Sequence, residues 1–582
     1  MKKLMIGNEA LARGFYEGGI GAVSSYPGTP STEITEFLAK YDDIYSEWAP
    51  NEKVAAEVAF GASLGGKRSL CCMKHVGLNV AADPLFTLSY TGVNAGMVVC
   101  VADDPAMHSS QNEQDSRHYA IAAKLPMLEP ADSDEALQFA KASFKLSEQF
   151  DTVVMMRTLT RIAHSQSIVT LGEREEAPEK PYEKKPEKYI MMPAYAKKRH
   201  PVVEERMKKL AEYAESCPFN RVEWSEDKTL GIITSGTSYQ YVKEVFGDRV
   251  SVLKLGMINP LPKKTVKSFA QKVDRLVVVE ELDGIIETFC RTLGLEVEGK
   301  KLFSPIGEFS QSVIRKAFGL KEPENVQLPN PVPLRPPMMC SGCPHRGIYY
   351  TLSKNKITVI GDIGCYTLGA QPPLCAVDTT LCMGASVSGL HGFNKAGEGA
   401  FESRSVAVIG DSTFMHSGIT GLVDIAYNQS NSTVIILDNS ITGMTGHQQN
   451  PTTGLNIKGD PAGKIDLEAL CRSIGIERVR VVDPYNIEEC EKAILEELKA
   501  PCPSVIISRR PCVLLKYVKL NAPLEISNDA CRGCRKCMKL GCPSISFKNG
   551  HAVIDETLCV GCGVCKQLCA FGAIQGQGGK VQ

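Results

Sequence analysis

Two runs of cysteines near the C-terminus are the densest chemical signal in the chain. The protein has 22 cysteines, and eight of them fall within the last 52 residues. The two runs are Cys531, Cys534, Cys537 and Cys542, then Cys559, Cys562, Cys565 and Cys569. Three thiolates spaced this closely can hold three corners of an iron–sulfur cubane, whose fourth corner then needs a more distant cysteine. The pattern predicts two iron–sulfur clusters, and two zinc sites are the less typical alternative.

Charge is balanced over the whole chain but not over this tail. The chain has 65 Lys and Arg against 66 Asp and Glu, a net charge of −1, whereas residues 520–582 have seven against four, or +3. A near-neutral chain offers no field for nucleic acid or an anionic membrane, so we expect neither as a partner. The basic tail would suit an acidic protein partner, and ordinary solvated lysines are an equal alternative.

The cellular compartment follows from what the chain lacks. No apolar stretch approaches the ~18 residues of a membrane span, and the apolar run at the start of the chain ends at Gly7, too early for a signal peptide. We therefore expect a cytoplasmic protein with reduced thiols.

A second constellation, in residues 338–515, is suited to a metal ion. A predicted strand at 406–409 ends at Asp411, and another at 434–437 ends at Asn439, 28 residues later. The carboxyl ends of parallel strands are where α/β sheets bind ligands, and hard oxygen ligands favour Mg²⁺, which would neutralise a diphosphate. Taken alone, the pair could equally belong to simple turns.

A third candidate is a carboxyl group at the start of a helix. The stretch from Asn51 to Gly61 fits E-x2-A-x3-A-x-G, whose small residues allow a helix to pack closely. Glu52 would lie at the helix start, and in a dry cleft its carboxyl group could share a proton with a ligand. The alternative is an exposed glutamate favoured by the helix dipole.

The elements that must position these residues alternate strand with helix. Short β-rich runs, such as 22–26 and 97–101, are separated by helix-like stretches, and the rhythm returns after residues 228 and 338. This alternation is typical of an α/β fold with parallel sheets. We divide the chain into 1–171, a charged linker and helix at 172–227, 228–325, a proline-rich linker at 326–337, 338–515 and a cysteine-rich domain at 523–582.

Together these motifs resemble the thiamine diphosphate-dependent 2-oxoacid:ferredoxin oxidoreductases, and among them the indolepyruvate-oxidising family. The resemblance covers essentially the whole chain. It implies several doubly wound parallel-sheet domains and a small ferredoxin-like domain: a pyrimidine-type domain at 1–171, a transketolase C-terminal-like domain at 228–325, a diphosphate-type domain at 338–515 and a two-cluster domain at 523–582.

For thiamine diphosphate, the resemblance implies a role for each motif. Glu52 would be the catalytic group that hydrogen-bonds the aminopyrimidine ring, and Met383 would hold the two thiamine rings in a V. Mg²⁺ would take Asp411, Asn439 and the backbone carbonyl of Ile441. Ser412 departs from the glycine of the family motif. The cofactor-binding loops would contribute Cys340, Gly342, Cys343, Gly364, Cys365, Gly410 and Ser412.

For the tail, the resemblance implies that the fourth cysteine of each run serves the other cluster. The two [4Fe–4S] clusters then take Cys531, Cys534, Cys537 and Cys569 (cluster 1), and Cys559, Cys562, Cys565 and Cys542 (cluster 2). The first run has four residues before its last cysteine where the family has three, and Ala570 replaces a proline. These departures leave open whether cluster 1 is [4Fe–4S] or [3Fe–4S].

The implied reaction is the oxidation of an aryl 2-oxoacid, such as indolepyruvate or phenylpyruvate, with coenzyme A. Its products would be aryl-acetyl-CoA, CO₂ and reduced ferredoxin. The implied partners are a smaller beta subunit, a soluble ferredoxin and further copies of this chain.

Four residues are candidates for substrate contact. By resemblance, Thr29 would contact the substrate carboxylate, and Met444, where pyruvate enzymes have Asn, would suit a larger ring. His75 and Arg117 lie in strand-following loops and could face substrate or be structural.

Two other functions stay open: a non-oxidative arylpyruvate decarboxylase, which has no need of clusters, and a non-catalytic electron-transfer subunit.

Overall fold

The structure is a computed structural model that describes residues 1–178, 180–324, 326, 332–333 and 336–576. The chain forms two compact units, residues 1–328 and 329–582. The finer division at 171, 227 and 515 stays a prediction.

Unit 1 alternates strands and helices as the sequence predicts. Its elements are β1 (Lys2–Ile6), α1 (Gly7–Glu17), β2 (Ala22–Ser25), α2 (Thr32–Leu38), β3 (Tyr45–Trp48), α3 (Glu52–Leu64), β4 (Ser69–Lys74), α4 (His75–Val80), α5 (Ala82–Thr91), β5 (Met97–Asp103), α6 (Arg117–Ala123), β6 (Met127–Leu128), α7 (Ser133–Phe150), β7 (Val154–Leu159), α8 (Thr160–His164), β8 (Gln166–Thr170), α9 (Pro186–Tyr189), α10 (Pro193–Ala214), β9 (Arg221–Glu223), β10 (Leu230–Ser235), α11 (Gly236–Phe246), β11 (Ser251–Leu255), β12 (Met257–Asn259), α12 (Lys263–Ala270), β13 (Arg275–Val279), α13 (Ile285–Thr292) and α14 (Gln311–Ala317).

Two sheets organise this unit. The larger has the order β12-β6-β7-β5-β4-β2-β3, and all its strands are parallel except the edge strand β12, which pairs antiparallel with β6. The smaller has the order β13-β10-β11-β9, with β9 antiparallel. The inner strands β4, β5 and β7 are buried along their whole length, as expected for a parallel sheet covered by helices on both faces.

The region 172–227, expected as a charged linker and helix, contains a long helix, α10, which begins at Pro193, where the fixed φ of proline suits a first helical position. Its Val203, Leu210 and Ala214 are buried, and buried Arg206 donates from Nη1 to the carbonyl of Ser89 at 2.6 Å. This helix therefore packs on the first sheet's helical layer instead of lying free on the surface.

Unit 2 contains a second α/β sheet followed by the cysteine-rich tail. Its elements are α15 (His345–Lys354), β14 (Thr358–Ile360), α16 (Ala385–Ala396), β15 (Ser405–Gly410), α17 (Asp411–Thr413), α18 (Ile419–Tyr427), β16 (Thr433–Asp438), α19 (Leu467–Ser473), β17 (Arg478–Val482), α20 (Ile487–Glu497), β18 (Ser504–Arg509), β19 (Glu525–Ile526), β20 (Ile545–Lys548), β21 (His551–Ile554), α21 (Val564–Gln567) and β22 (Ile574–Gln575).

The sheet of unit 2 is entirely parallel, with the order β14-β15-β16-β18-β17. Because β14, β15 and β16 are neighbours, the residues that follow them meet at one edge of the sheet. A π-helical turn at Phe414–Gly418 joins α17 to α18 directly after Asp411, and such turns are frequent at functional sites.

The tail has little regular structure. Two antiparallel pairs, β19 with β22 and β20 with β21, enclose a small core in which apolar side chains pack with the cysteines. None of the helices formed by the described residues combines the length and the apolarity needed to cross a membrane.

Candidate functional site

Three oxygen-bearing groups converge beyond the ends of β15 and β16. The side-chain amide atom of Asn439 that faces this point lies 3.2 Å from Asp411 Oδ1 and 2.8 Å from the carbonyl oxygen of Ile441. An octahedral Mg²⁺ with bonds of about 2.1 Å separates neighbouring ligand oxygens by about 3 Å. With its nitrogen at this position, as hydrogen bonding alone favours, the amide donates to both partners; turned over, it would present its oxygen beside the same two groups. A carboxylate, an amide oxygen and a carbonyl are groups that suit Mg²⁺, and this ligand set stays a prediction.

Asp411 is almost completely buried. Burial, with a smaller contribution from Asp438, raises the pKa of Asp411 to about 7. A carboxyl group in this position gains from a cation that holds it ionised. Its two oxygens already accept from the Ser412 amide at 2.8 Å and from Thr452 Oγ1 at 3.2 Å, which fixes the side chain.

Ser412 is the residue that departs from the family glycine. Thr442 Oγ1 donates to its hydroxyl at 2.9 Å. The Ser412 hydroxyl thus links the end of β15 to the loop that follows Asn439. The site therefore accommodates a serine where the family has glycine.

Asp362, which the sequence interpretation did not assign, organises the loop that carries Met383. Its side chain is buried and accepts from the backbone amides of Gly384 and Ser386 at 2.8 and 2.9 Å. These amides begin helix α16, so the carboxyl group holds the turn that presents Met383. The signal was visible in the sequence as an aspartate at a strand end, the same signal that pointed to Asp411.

Gly410 and Gly364 are explained by a tyrosine ring. A Cβ at Gly410 would lie 2.6 Å from Cε1 of Tyr366, and one at Gly364 would overlap the same atom. The Tyr366 hydroxyl in turn bonds with Thr413 Oγ1 at 3.0 Å. Both glycines are also predicted to contact the cofactor. The Tyr366 ring explains why these positions need glycine whether or not they contact it.

Four thiols gather near this edge, including one that the sequence interpretation left out. Burial, with smaller contributions from nearby Cys512 and Cys340, raises the pKa of Cys365 to about 11. Burial likewise raises the pKa of Cys343 to about 12, with Cys340 and Cys365 nearby. The fourth thiol, Cys512, lies beside the metal-site candidates, because its amide donates to the carbonyl of Asn439 at 2.9 Å. These four thiols are called the inner cysteines below.

The eight tail cysteines divide into two sets of four. Cys542, Cys559, Cys562 and Cys565 line one cavity, and Cys531, Cys534, Cys537 and Cys569 line another. No three His, Cys, Asp or Glu side chains in the described residues are arranged to hold a single metal ion. The case for clusters therefore comes from how the cysteines group and from the family, and not from a preformed coordination geometry.

The first of these cavities joins the tail to the sheet of unit 2. Ser341, Gly342, Cys343 and Arg346 also line it. Arg346 is buried and donates to the carbonyls of Leu540 and Gly541 in the tail, and Tyr485 donates to the carbonyl of Gly342 at 2.5 Å. The predicted cluster 2 ligands and the loop of Cys340 and Cys343 therefore share one interface.

Glu52 lies in unit 1 at the first position of α3, with 5% of its surface exposed. The preceding Asn51 caps the helix, accepting from the amide of Val54 at 2.9 Å. The Glu52 side chain packs against Gly77, where a Cβ would lie 2.6 Å from its Cγ. The glutamate is therefore not the exposed helix-start residue of the alternative interpretation.

Thr29 and His75 lie beyond the carboxyl ends of β2 and β4. His75 is buried, burial lowers its pKa, and its Nε2 is 3.2 Å from the carbonyl of Asn112, while Nδ1 has no partner among the described residues. Lys74, which we had not assigned, bonds through Nζ to the carbonyl of Ser109 and packs under Gly28. Burial lowers the pKa of Lys74 to about 8. These neighbours make the edge polar, as a substrate site requires.

Arg117 does not support its predicted substrate role. It is 1% exposed, and its guanidinium group bonds to Asp115 and Glu280 at 2.6 Å and to the carbonyls of Glu281 and Asp283. The arginine ties the loop before α6 to the end of β13. No sequence signal could have shown this, because Glu280 lies 163 residues away.

Met444 lies in the loop after Asn439 with 49% of its surface exposed. It is accessible to a ligand, and nothing in the structure tests its predicted contact with an aryl group.

Three family models match the chain. Residues 13–218 match "Pyruvate flavodoxin/ferredoxin oxidoreductase, thiamine diP-bdg", residues 362–508 match "Thiamine pyrophosphate enzyme, C-terminal TPP binding domain", and residues 552–575 match "4Fe-4S binding domain". The class that these matches define is a thiamine diphosphate-dependent 2-oxoacid oxidoreductase with an iron–sulfur domain.

Curated relatives narrow this class. Indolepyruvate oxidoreductase subunit IorA is 40% identical in both Pyrococcus horikoshii and Archaeoglobus fulgidus, and the match covers 99% of this chain and 97% of each relative. The chain therefore belongs to the IorA family of indolepyruvate oxidoreductase subunits. A 2-oxoglutarate:ferredoxin oxidoreductase structure from Magnetococcus marinus, with 2-oxoglutarate, coenzyme A and succinyl-CoA bound, is 18% identical at a TM-score of 0.46, covering 55% of this chain and 65% of that one.

Proposed function

We propose that this chain carries the thiamine diphosphate site and the cluster ligands of an enzyme that oxidises aryl 2-oxoacids of the indolepyruvate type. The single observation that carries the proposal is the position of the Asn439 side-chain amide, 3.2 Å from Asp411 Oδ1 and 2.8 Å from the carbonyl oxygen of Ile441. Bound thiamine diphosphate would supply the electron sink for loss of CO₂ from the 2-oxoacid.

The residues of the chain would bind and orient thiamine diphosphate and exclude water from it. Asp411, Asn439 and Ile441 would hold Mg²⁺ against the diphosphate, and the turn fixed by Asp362 would present Met383 to the thiamine rings. Buried Glu52 would share a proton with the aminopyrimidine, since a carboxyl group away from water keeps its hydrogen bond with the ligand.

Substrate recognition is proposed for the polar edge of unit 1 and the loop after Asn439. Thr29, with Lys74 and His75 close by, offers donors for a carboxylate. Flexible, apolar Met444 suits an aryl ring. If so, Met444→Asn shifts the ratio of phenylpyruvate to pyruvate oxidation toward pyruvate, and an unchanged ratio would remove Met444 from the proposal.

Electron transfer is proposed to run through the tail. Cluster 1 would take Cys531, Cys534, Cys537 and Cys569, and cluster 2 Cys542, Cys559, Cys562 and Cys565. The inner cysteines, Cys340, Cys343, Cys365 and Cys512, lie between the Mg²⁺ candidates and cluster 2, and four thiolates are the ligand number of a further [4Fe–4S] cluster. Coenzyme A would accept the acyl group, a smaller beta subunit would complete the enzyme, and a soluble ferredoxin would take the electrons.

The metal site is tested by binding. We expect Asp411→Ala to weaken binding of thiamine diphosphate with Mg²⁺ about 100-fold or more in calorimetry, because it removes a charged ligand. Asp424→Ala, an exposed carboxylate on α18, is the matched control and should bind as the unmodified chain does. Equal binding by all three proteins would remove Asp411 from the metal site. No binding by the unmodified chain, with its partner subunit present, would favour the non-catalytic electron-transfer subunit.

The reaction is tested anaerobically with the beta subunit, indolepyruvate, thiamine diphosphate, Mg²⁺ and coenzyme A. Bleaching of the visible iron–sulfur absorbance, with formation of the acyl-CoA, is the expected result. Release of the aldehyde without bleaching would favour the non-oxidative decarboxylase.

A further inference from the structure

We propose that an acidic electron-acceptor protein docks on one basic face of the tail, so that electrons enter the tail at cluster 2 and leave it at cluster 1. We call this the exit face; it consists of Arg532, Arg535, Lys536, Lys539 and Phe571. The inference rests on the proposed function, because the route exists only if 2-oxoacid oxidation reduces the clusters.

The two cysteine sets face in different directions. The cavity of cluster 2 is lined partly by the sheet domain, through Ser341–Cys343 and Arg346. The cavity of cluster 1 is lined by tail residues alone, from Ile526 to Ile574. Each set has one buried cysteine, Cys537 and Cys565, but only the cluster 1 set has an exposed one, Cys534. Cluster 2 is therefore the inner centre and cluster 1 the outer one.

The outer centre is ringed by positive charge. Arg532, Arg535 and Lys536 line the cluster 1 cavity and are exposed, and Lys539 follows on the same segment. Within the described residues, none of the four forms an ion pair with a carboxylate, and Arg535 stacks on the ring of Phe547 at 4.1 Å. Asp529 is the one acidic residue of this stretch, so the segment 529–539 has a net charge of +3 (four minus one).

An apolar residue completes the face. Phe571 lines the same cavity and is 50% exposed. A charged rim around an apolar contact is the usual anatomy of a transient interface. Unpaired cations on that rim would steer an acidic partner and raise its association rate, in a manner that salt weakens.

The electron balance is simple. Each acceptor molecule, an acidic protein with a one-electron iron–sulfur centre, would gain one electron as cluster 1 loses one. Conversion of one 2-oxoacid and coenzyme A to acyl-CoA and CO₂ releases two electrons, so two acceptors would be reduced.

The test compares two double charge reversals. Lys536→Glu with Lys539→Glu changes the exit face. Lys492→Glu on α20 with Lys499→Glu just after its end makes the same change in net charge elsewhere, and both lysines are exposed. Each protein is examined as the complex with its beta subunit, after its iron content is shown to equal that of the unmodified complex. A purified acidic [4Fe–4S] ferredoxin and methyl viologen are the two acceptors.

For the exit-face variant we expect the Kd for ferredoxin, measured by calorimetry, to rise about tenfold, and the second-order rate of ferredoxin reduction to fall about tenfold. Its methyl viologen reduction should not fall, and the α20 variant should change by less than about twofold in every measurement. An unchanged ferredoxin Kd in the exit-face variant, or an equal loss in the α20 variant, would overturn the proposal. If the unmodified complex reduces neither acceptor, the proposed function fails, while calorimetry still decides the docking site.

Discussion

Glu52 reaches its buried position because residue 77 has no side chain. The glutamate carboxyl group fills the space where a Cβ of residue 77 would lie. Gly77 lies in helix α4, and its φ is not positive. Glycine is therefore needed at this position because it has no side chain, and not because its backbone is unusually free.

We therefore expect Gly77→Ala to displace Glu52 and to lower kcat for 2-oxoacid oxidation about 10-fold to 100-fold. Displacing a catalytic group by about 1 Å can reduce the rate by that factor. The free energy of unfolding should fall by about 1–3 kcal/mol, because the added Cβ overlaps the buried Glu52 side chain. The measurements are steady-state kinetics and the melting temperature.

Gly392→Ala is the matched control, because Gly392 lies exposed in helix α16 with nothing near the position of a Cβ. It should leave kcat unchanged. Equal activity of the Gly77 variant and this control would show that the position of Glu52 is not critical.

At the scale of elements, a buried charge network joins β5, α6, β7 and the end of β13. Arg117 and Arg157 face Asp103, Asp115, Glu129 and Glu280, all buried. Glu281 lies beside this network and accepts from the amide of Phe309 at 2.7 Å. Burial raises the pKa of Glu281 to about 7, with Arg157 opposing that rise and Glu129 and Glu308 adding to it.

The sign of the pH effect follows from this raised pKa. Between pH 4.5 and 7 the folded chain holds a proton on Glu281 that the unfolded chain has lost, so this residue makes stability fall as pH rises. We expect Glu281→Gln, which keeps the acceptor without the charge, to raise the melting temperature at pH 8 and to change it little at pH 4.5. The gain corresponds to at most about 3 kcal/mol, at 1.36 kcal/mol per pKa unit. The same gain at both pH values would exclude titration of Glu281 as the cause.

The inner cysteines come from three separate segments, the loop of Cys340 and Cys343, the loop of Cys365, and the segment after strand β18 that carries Cys512. If they hold a cluster, Cys512→Ala should lower the iron content by about four atoms per chain, from about twelve to about eight. Cys502→Ala, a thiol outside the set, should leave it unchanged. A content of about eight iron atoms in the unmodified protein would exclude the third cluster.

At the scale of the whole chain, Arg346 fastens the tail to the sheet of unit 2. Its guanidinium group serves four carbonyls, those of Met339 and Cys340 on the sheet side and of Leu540 and Gly541 in the tail. Removing the donor leaves the buried carbonyls of Met339 and Leu540 without this partner, at a cost of about 1–3 kcal/mol each.

We expect Arg346→Met to loosen the tail and to slow methyl viologen reduction about tenfold, while release of CO₂ from the 2-oxoacid in a single turnover is retained. Arg404→Met, at an exposed arginine of the same unit, is the control. Equal slowing of both reactions would mean that Arg346 serves the thiamine site and not the tail.

Much of the fold could be predicted from the sequence, because its signals are local. The strands at 406–409 and 434–437 follow from runs of apolar residues, and each is followed by a polar residue that the structure places at one sheet edge. The cysteine spacing marked the eight tail cysteines as cluster ligands, but their division into two sets of four came from the family resemblance, because the fourth cysteine of each run joins the other set.

The sequence by itself determined the α/β class, the strand-end groups Asp411 and Asn439, and the cysteine runs, because each depends on neighbours within one element or turn. The tertiary structure alone decided that Arg117 is a buried link to Glu280, that Gly77 makes room for Glu52, and that Cys512 joins Cys340, Cys343 and Cys365. These depend on residues that are distant in the chain and meet only when helices and sheets pack, and neither spacing nor composition records which distant residues will meet.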